Sequence, residues 1–131
     1  MRTKWIMYAA IVPILALALS VAGQQGASQQ SAEQLYKSGL YTEEVGGDLQ
    51  KAIGIYQDLL KRFPENREIA AKAQLHIGLC FEKLGTQEAE KAFQRVVDGY
   101  PEQAAVVLTA KEKLAALLNH LPDRRGRQVY L

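Results

Sequence analysis

The feature that most narrows what this chain can fold into is a repeat of 37 residues. Ala52, Tyr56, Leu59 and Pro64 return as Ala89, Phe93, Val96 and Pro101. The same shift carries Gln57 to Gln94, Glu65 to Glu102, Ile69 to Val106 and Ala73 to Ala110. A fixed period of this length marks a stacked array of supersecondary units, none of which can bury its apolar face alone. Size assigns the roles. Ala52 or Ala89 lets two helices approach closely, the aromatic beyond fills the space left over, and the Pro turns the chain into the next unit.

Apolar spacing sets the type of unit. Leu49, Ala52, Ile53, Tyr56, Leu59, Leu60 and Phe63 follow the helical rhythm, as do Ile69, Ala73, Ile77, Cys80, Phe81 and Leu84. Five helices are predicted, with no convincing strand. The first opens on a capping box at Ser31 and Gln34, buries Leu35, Tyr36, Gly39 and Leu40, and stops at Gly46 and Gly47. Asp48 caps the second, which ends at Phe63 and Pro64 because a residue before Pro is pushed out of helical geometry. Asn66 caps the third, which ends at Gly85, and Thr86 caps the fourth, which Pro101 closes. The fifth runs from about Gln103 to Asn119 and buries Val107, Ala110, Leu114, Leu117 and Leu118, with Pro122 preventing its continuation.

These positions resemble the tetratricopeptide repeat: small residue, aromatic, apolar residue and Pro at Ala52, Tyr56, Leu59 and Pro64, and again at Ala89, Phe93, Val96 and Pro101. Gly78 and Phe81 match the glycine and aromatic of that repeat's first helix, whereas Gly39 stands only roughly where the glycine belongs. The turn from Gly85 to Ala89 is one residue short, and the period exceeds the usual length of about 34 residues. The resemblance covers about Ala32 to Leu118 and implies an all-α helical-repeat array of about two repeats plus a C-terminal capping helix. The longer period is similar to that of bacterial cell-envelope members. The runs AEQLYKSGLYTEEVGGDLQKAIGIYQDLL and GLCFEKLG also resemble the N-terminal helical module of exported proteins that continue into a TolB-like β-propeller. On that reading the chain is a stand-alone or truncated version of such a module.

The N-terminus bears on compartment. Arg2 and Lys4 precede an apolar run from Ile6 to Leu19, and Ser20, Val21 and Ala22 supply small residues of the kind a signal peptidase reads. Cleavage after Ala22 is expected, with Gly23 as the second choice and an uncleaved membrane anchor as the competitor. The expected organisation is a signal peptide at 1–22, a flexible linker at 23–30, the repeat domain at 31–121 and a basic tail at 122–131. Export to the periplasm or cell envelope follows, with membrane contact only through the N-terminal segment if it stays uncleaved. Without residues 1–22 the chain has 14 basic and 14 acidic residues, which argues against a polyanion binder, so no nucleic-acid partner is expected. The cluster Arg124, Arg125 and Arg127 reads as a solvated tail, with an anionic surface or partner as the alternative. The single cysteine, Cys80, leaves stability to packing.

The catalytic inventory is thin, and no enzyme activity, cofactor or metal is expected. His76 and Cys80 lie one helical turn apart, the arrangement of a thiolate nucleophile and its base, but on a stripe that reads as core and without a third group. His76 and His120 stand far apart, and no metal-ligand motif occurs. Glu43, Glu44 and Asp48 read as a solvated turn with a helix cap. What the resemblance implies is a non-catalytic scaffold whose first helices hold a protein or peptide in a groove. The groove stripe comprises Lys72, Leu75, Leu79, Glu82 and Lys83 on the third helix and Ser38 and Thr42 on the first. The bland alternative has Leu75 and Leu79 packing against the first helix. A different reading makes the apolar fifth helix, with Val106, Val107, Leu108, Leu114, Leu117 and Leu118, an oligomerisation or docking surface that could join a second copy.

Overall fold

The computed structural model describes residues 26–120, which are helical throughout apart from short turns. Helix α1 is described over 26–44, followed by α2 at Leu49–Arg62, α3 at Arg67–Lys83, α4 at Glu88–Gly99 and α5 at Ala104–His120. No strand occurs among the described residues. The all-α repeat array read from the 37-residue period is therefore the observed architecture. The apolar run near the N-terminus and the Arg124, Arg125 and Arg127 cluster lie outside the described residues.

The repeat extends to the backbone. Phe63 and Tyr100, each before a Pro, adopt nearly the same conformation, φ −131° and ψ 51° against φ −133° and ψ 49°. Beyond each corner the chain re-enters a helix through equivalent bonds, Asn66 N–H to Phe63 O and Gln103 N–H to Tyr100 O. The glycine turns differ. After α3, Gly85 takes φ +68°, its N–H donates to Glu82 O, and Thr86 N–H donates to Phe81 O, a Schellman closure. After α1 the ending is wider: Gly46 N–H reaches Tyr41 O, Asp48 N–H reaches Thr42 O, and Gly47 supplies the positive φ of +63°.

Four terminus expectations need correction. Residues 26–30, expected as flexible linker, belong to α1, and Ala32 is fully buried in the core. Ser31 therefore sits inside the helix, where its hydroxyl donates to Ala27 O at 2.9 Å and closes no capping box. Thr86 does not cap α4, because its hydroxyl is committed to Phe81 O at 3.2 Å. Asn66 holds the N-cap position of α3 without a side-chain bond, whereas Asp48 caps α2 as expected, accepting from Lys51 N–H at 3.0 Å.

Packing follows the roles that size assigned. One core joins Ala52, Ile53, Tyr56, Leu59, Ile69, Ala73, Ile77 and Cys80, with Leu35 and Tyr36 of α1 against it. A second joins Ala89, Phe93, Val96 and Ala110, with Leu75, Leu79, Val106, Leu114 and Leu117 around it. Helix α3 packs on α2, α4 and α5, while the backbones of α2 and α4 stay apart. The fifth helix departs from expectation at Leu118, which is 57% exposed although its spacing predicts core.

Each pair is held by a ring seated on a glycine. A methyl group added at Gly39 would lie 2.4 Å from the Tyr56 ring, and one at Gly78 would lie 2.5 Å from the Phe93 ring. Both rings are fully buried. Gly39 thus performs in the first pair what Gly78 performs in the second, and the longer turn after α1 absorbs its offset. Replacing Gly78 with Ala should therefore destabilise the protein by about 1–3 kcal/mol despite the better helix propensity of Ala. Gly54→Ala in α2, where no atom lies within 4 Å, should stabilise by up to about 1 kcal/mol. Urea unfolding of the two variants would show the opposite signs.

Candidate protein-binding face

The first helices of the pairs, α1 and α3, meet along a polar seam built on Glu43. Its side chain is only 2% exposed, yet it accepts three hydrogen bonds. Lys83 Nζ donates to one carboxylate oxygen at 2.7 Å, and Tyr56 Oη at 3.0 Å and His76 Nδ1 at 2.8 Å approach the other. A carboxylate only accepts, so Nδ1 carries the proton in this contact. Tyr36, Tyr56 and His76 enclose the group, with ring centroids 5.5–6.0 Å apart. Burial works to raise the Glu43 carboxyl, but the bonds from Lys83, His76 and Tyr56 outweigh it and hold it below its ordinary range. The solvated-turn reading of Glu43 is corrected: it is a buried acceptor joining α1, α2 and α3.

Cys80 lies in the same core, fully buried. Burial and the nearby Glu43 carboxylate push its thiol up to about 12, the reverse of what a thiolate nucleophile needs. His76 points its Nδ1 at Glu43, so the two residues one turn apart form no nucleophile and base pair. No group of three or more His, Cys, Asp or Glu placed to hold a metal occurs among the described residues. No described helix is long and apolar enough to cross a membrane.

The expected groove residues are brought together unequally. Leu75 and Leu79 are half-buried against the second core, where Ala110, Leu114 and Leu117 of α5 also pack. Glu82 pairs with Lys113 of α5 at 2.9 Å, and Lys83 pairs with Glu43 of α1, so these two tie α3 to its neighbours. Lys72 is partly exposed and meets only Glu68 of its own helix among the ion pairs. Thr42 donates to Ser38 O within α1, and neither residue has a bond to α3. Beside this stripe, Glu82, Gly85, Thr86, Gln87, Glu90 and Leu117 line an open cleft of about 480 Å³.

Two contributors escaped the sequence reading: Lys113 and Arg67. Arg67, at the start of α3, pairs with Glu102 at 2.7 Å, donates to Gly99 O and lies 4.6 Å over the Tyr100 ring. It thereby clamps the corner after α4. The only sequence hint was Glu102 recurring with Glu65.

The fold defines an all-α helical-repeat array. The chain belongs to the tetratricopeptide repeat family, whose model matches residues 27–66 and 72–102, more than half of the chain and one match per helical pair. No curated protein and no solved structure matches it.

Two outcomes test the seam. A carboxyl whose pKa is lowered by folding contributes stability that is present above its unfolded value of about 4.3 and is lost as pH falls through the folded value. Stability of the wild type should therefore drop below about pH 4.3, and Glu43→Gln should flatten part of that drop while costing about 2 kcal/mol at neutral pH. Thermal melts across pH would measure both. Iodoacetamide should leave Cys80 unmodified at pH 8 in the folded protein and alkylate it in urea, as mass spectrometry would show.

Proposed function

We propose that this protein is an exported, non-catalytic scaffold that binds a protein or peptide partner in a bacterial cell envelope through the face formed by α1, α3 and α5. Tetratricopeptide repeats generally mediate protein–protein interaction, and the chain's membership supports that class of role. The observation that carries the choice of face is the half-buried pair Leu75 and Leu79, flanked by Lys72 and by the bridges Lys83–Glu43 and Glu82–Lys113. An apolar strip between fixed charges can take an apolar side chain and orient the partner's charges around it. Ion pairs join the inner helices, α1 to α3 and α3 to α5, whereas none joins α2 to α4 among the described residues. The basic n-region, the apolar run to Leu19 and the small residues to Ala22 support export by a cleaved signal peptide. The likeness to modules that precede TolB-like propellers supports the envelope as its setting.

Lys72 is the cleanest probe, because its only ion pair is an exposed i, i+4 contact worth a few tenths of a kcal/mol. Lys72→Glu should reduce recovery of the partner in affinity capture from the native host and leave the melting temperature unchanged. Lys83→Glu should lower the melting temperature, since it places a second acid beside buried Glu43. Unchanged recovery with Lys72→Glu would refute this face.

A further inference from the structure

Helix α5 repeats the pattern of α3, and among the described residues no helix packs on it as α4 packs on α3. Shifting α3 by the 37-residue period places Ile69, Ala73 and Ile77 on Val106, Ala110 and Leu114, which occupy the corresponding inward positions. The same shift places Ala71, Gln74, Gly78 and Phe81 on Leu108, Lys111, Ala115 and Leu118. In α3 this side is closed by α4: Gln74 Nε2 donates to Ala92 O at 3.2 Å, and the Phe93 ring lies on Gly78. In α5 no described element covers this side, and Leu108 is 60% and Leu118 57% exposed.

We propose that this side of α5 is the contact through which two copies of the chain associate, α5 packing antiparallel on α5 about a two-fold axis. A repeat-type second helix is a poor occupant. It would bring a ring onto position 115, where Ala carries the methyl group that Gly39 and Gly78 must lack for their rings to seat. The strip instead suits itself. Leu108 and Leu118 lie equally far from its centre, so an antiparallel copy sets each against the other, the self-complementarity that a two-fold interface requires. Ala115 then faces Lys111 of the second copy and gives its stem room, and exposed Lys111 and Glu112 bring opposite charges to the rim of both helices. A pair of helices about 25 Å long forms a small interface, so association in the micromolar range is expected.

The test co-expresses two differently tagged full-length chains, one carrying Leu108→Cys and the other Leu118→Cys, under mild oxidation. Disulfide-linked dimers should form between the two variants and not within either alone, since like positions lie far apart in an antiparallel pair. Adding Ala115→Arg to both chains, at a position exposed to solvent, should abolish the cross-link and leave the helical circular dichroism unchanged. The proposal is overturned if no dimer forms, if either variant links to itself as readily as to the other, if the link survives Ala115→Arg, or if another protein takes the cross-link. The result is independent of whether the face around Leu75 binds a partner.

Discussion

Everything in this array depends on two missing side chains. Gly39 and Gly78 let the Tyr56 and Phe93 rings lie directly on the helix backbone, where even a methyl group would not fit. Once the ring is seated, the small residues Ala52 and Ala89 are buried and the aliphatic residues that follow fall into place beneath it. The Pro corners then hand the chain to the next pair at almost identical dihedral angles. Because the rings occupy one side of each first helix, a different side is left for neighbours and partners.

Polar groups set how the pairs meet. Glu43 would be costly where it sits if Lys83, His76 and Tyr56 did not satisfy it, and those donors come from both α2 and α3. Such a seam is directional, whereas apolar packing alone tolerates sliding. Arg67 on Glu102 and Tyr100, and Lys113 on Glu82, add the same kind of registration toward α5. The ionisable residues of α3 are thus largely structural, and Lys72 stands out as the cation without an inter-helix role.

The helices, their order and the repeat were legible in the sequence because they rest on local spacing: Pro64 and Pro101 end helices wherever they occur, and Ala, aromatic and Pro return at a fixed shift. The pairing of Gly39 with Tyr56 was harder to read, since a wider turn moves the glycine out of the second repeat's register. Glu43 was misread because an acid next to acidic Glu44 and a Gly-Gly turn usually faces water. Only the fold brings Lys83, forty positions later, onto its carboxylate. Ser31 and Thr86 show the limit of capping signatures: each hydroxyl had a nearer carbonyl to serve. Lys72, Leu75, Leu79, Glu82 and Lys83 all lie on α3, but spacing along one helix could not say that Glu82 and Lys83 would be taken by α5 and α1.

On the proposed function, partners are held on the inner helices and not on the outer ones. A photoreactive amino acid placed at Lys72 of α3, at Asp58 of α2 or at Arg95 of α4, in cells of the native host, would test it. All three positions reach solvent. A discrete protein adduct is expected from position 72 and none from 58 or 95. Adducts from 58 or 95 with none from 72 would contradict it.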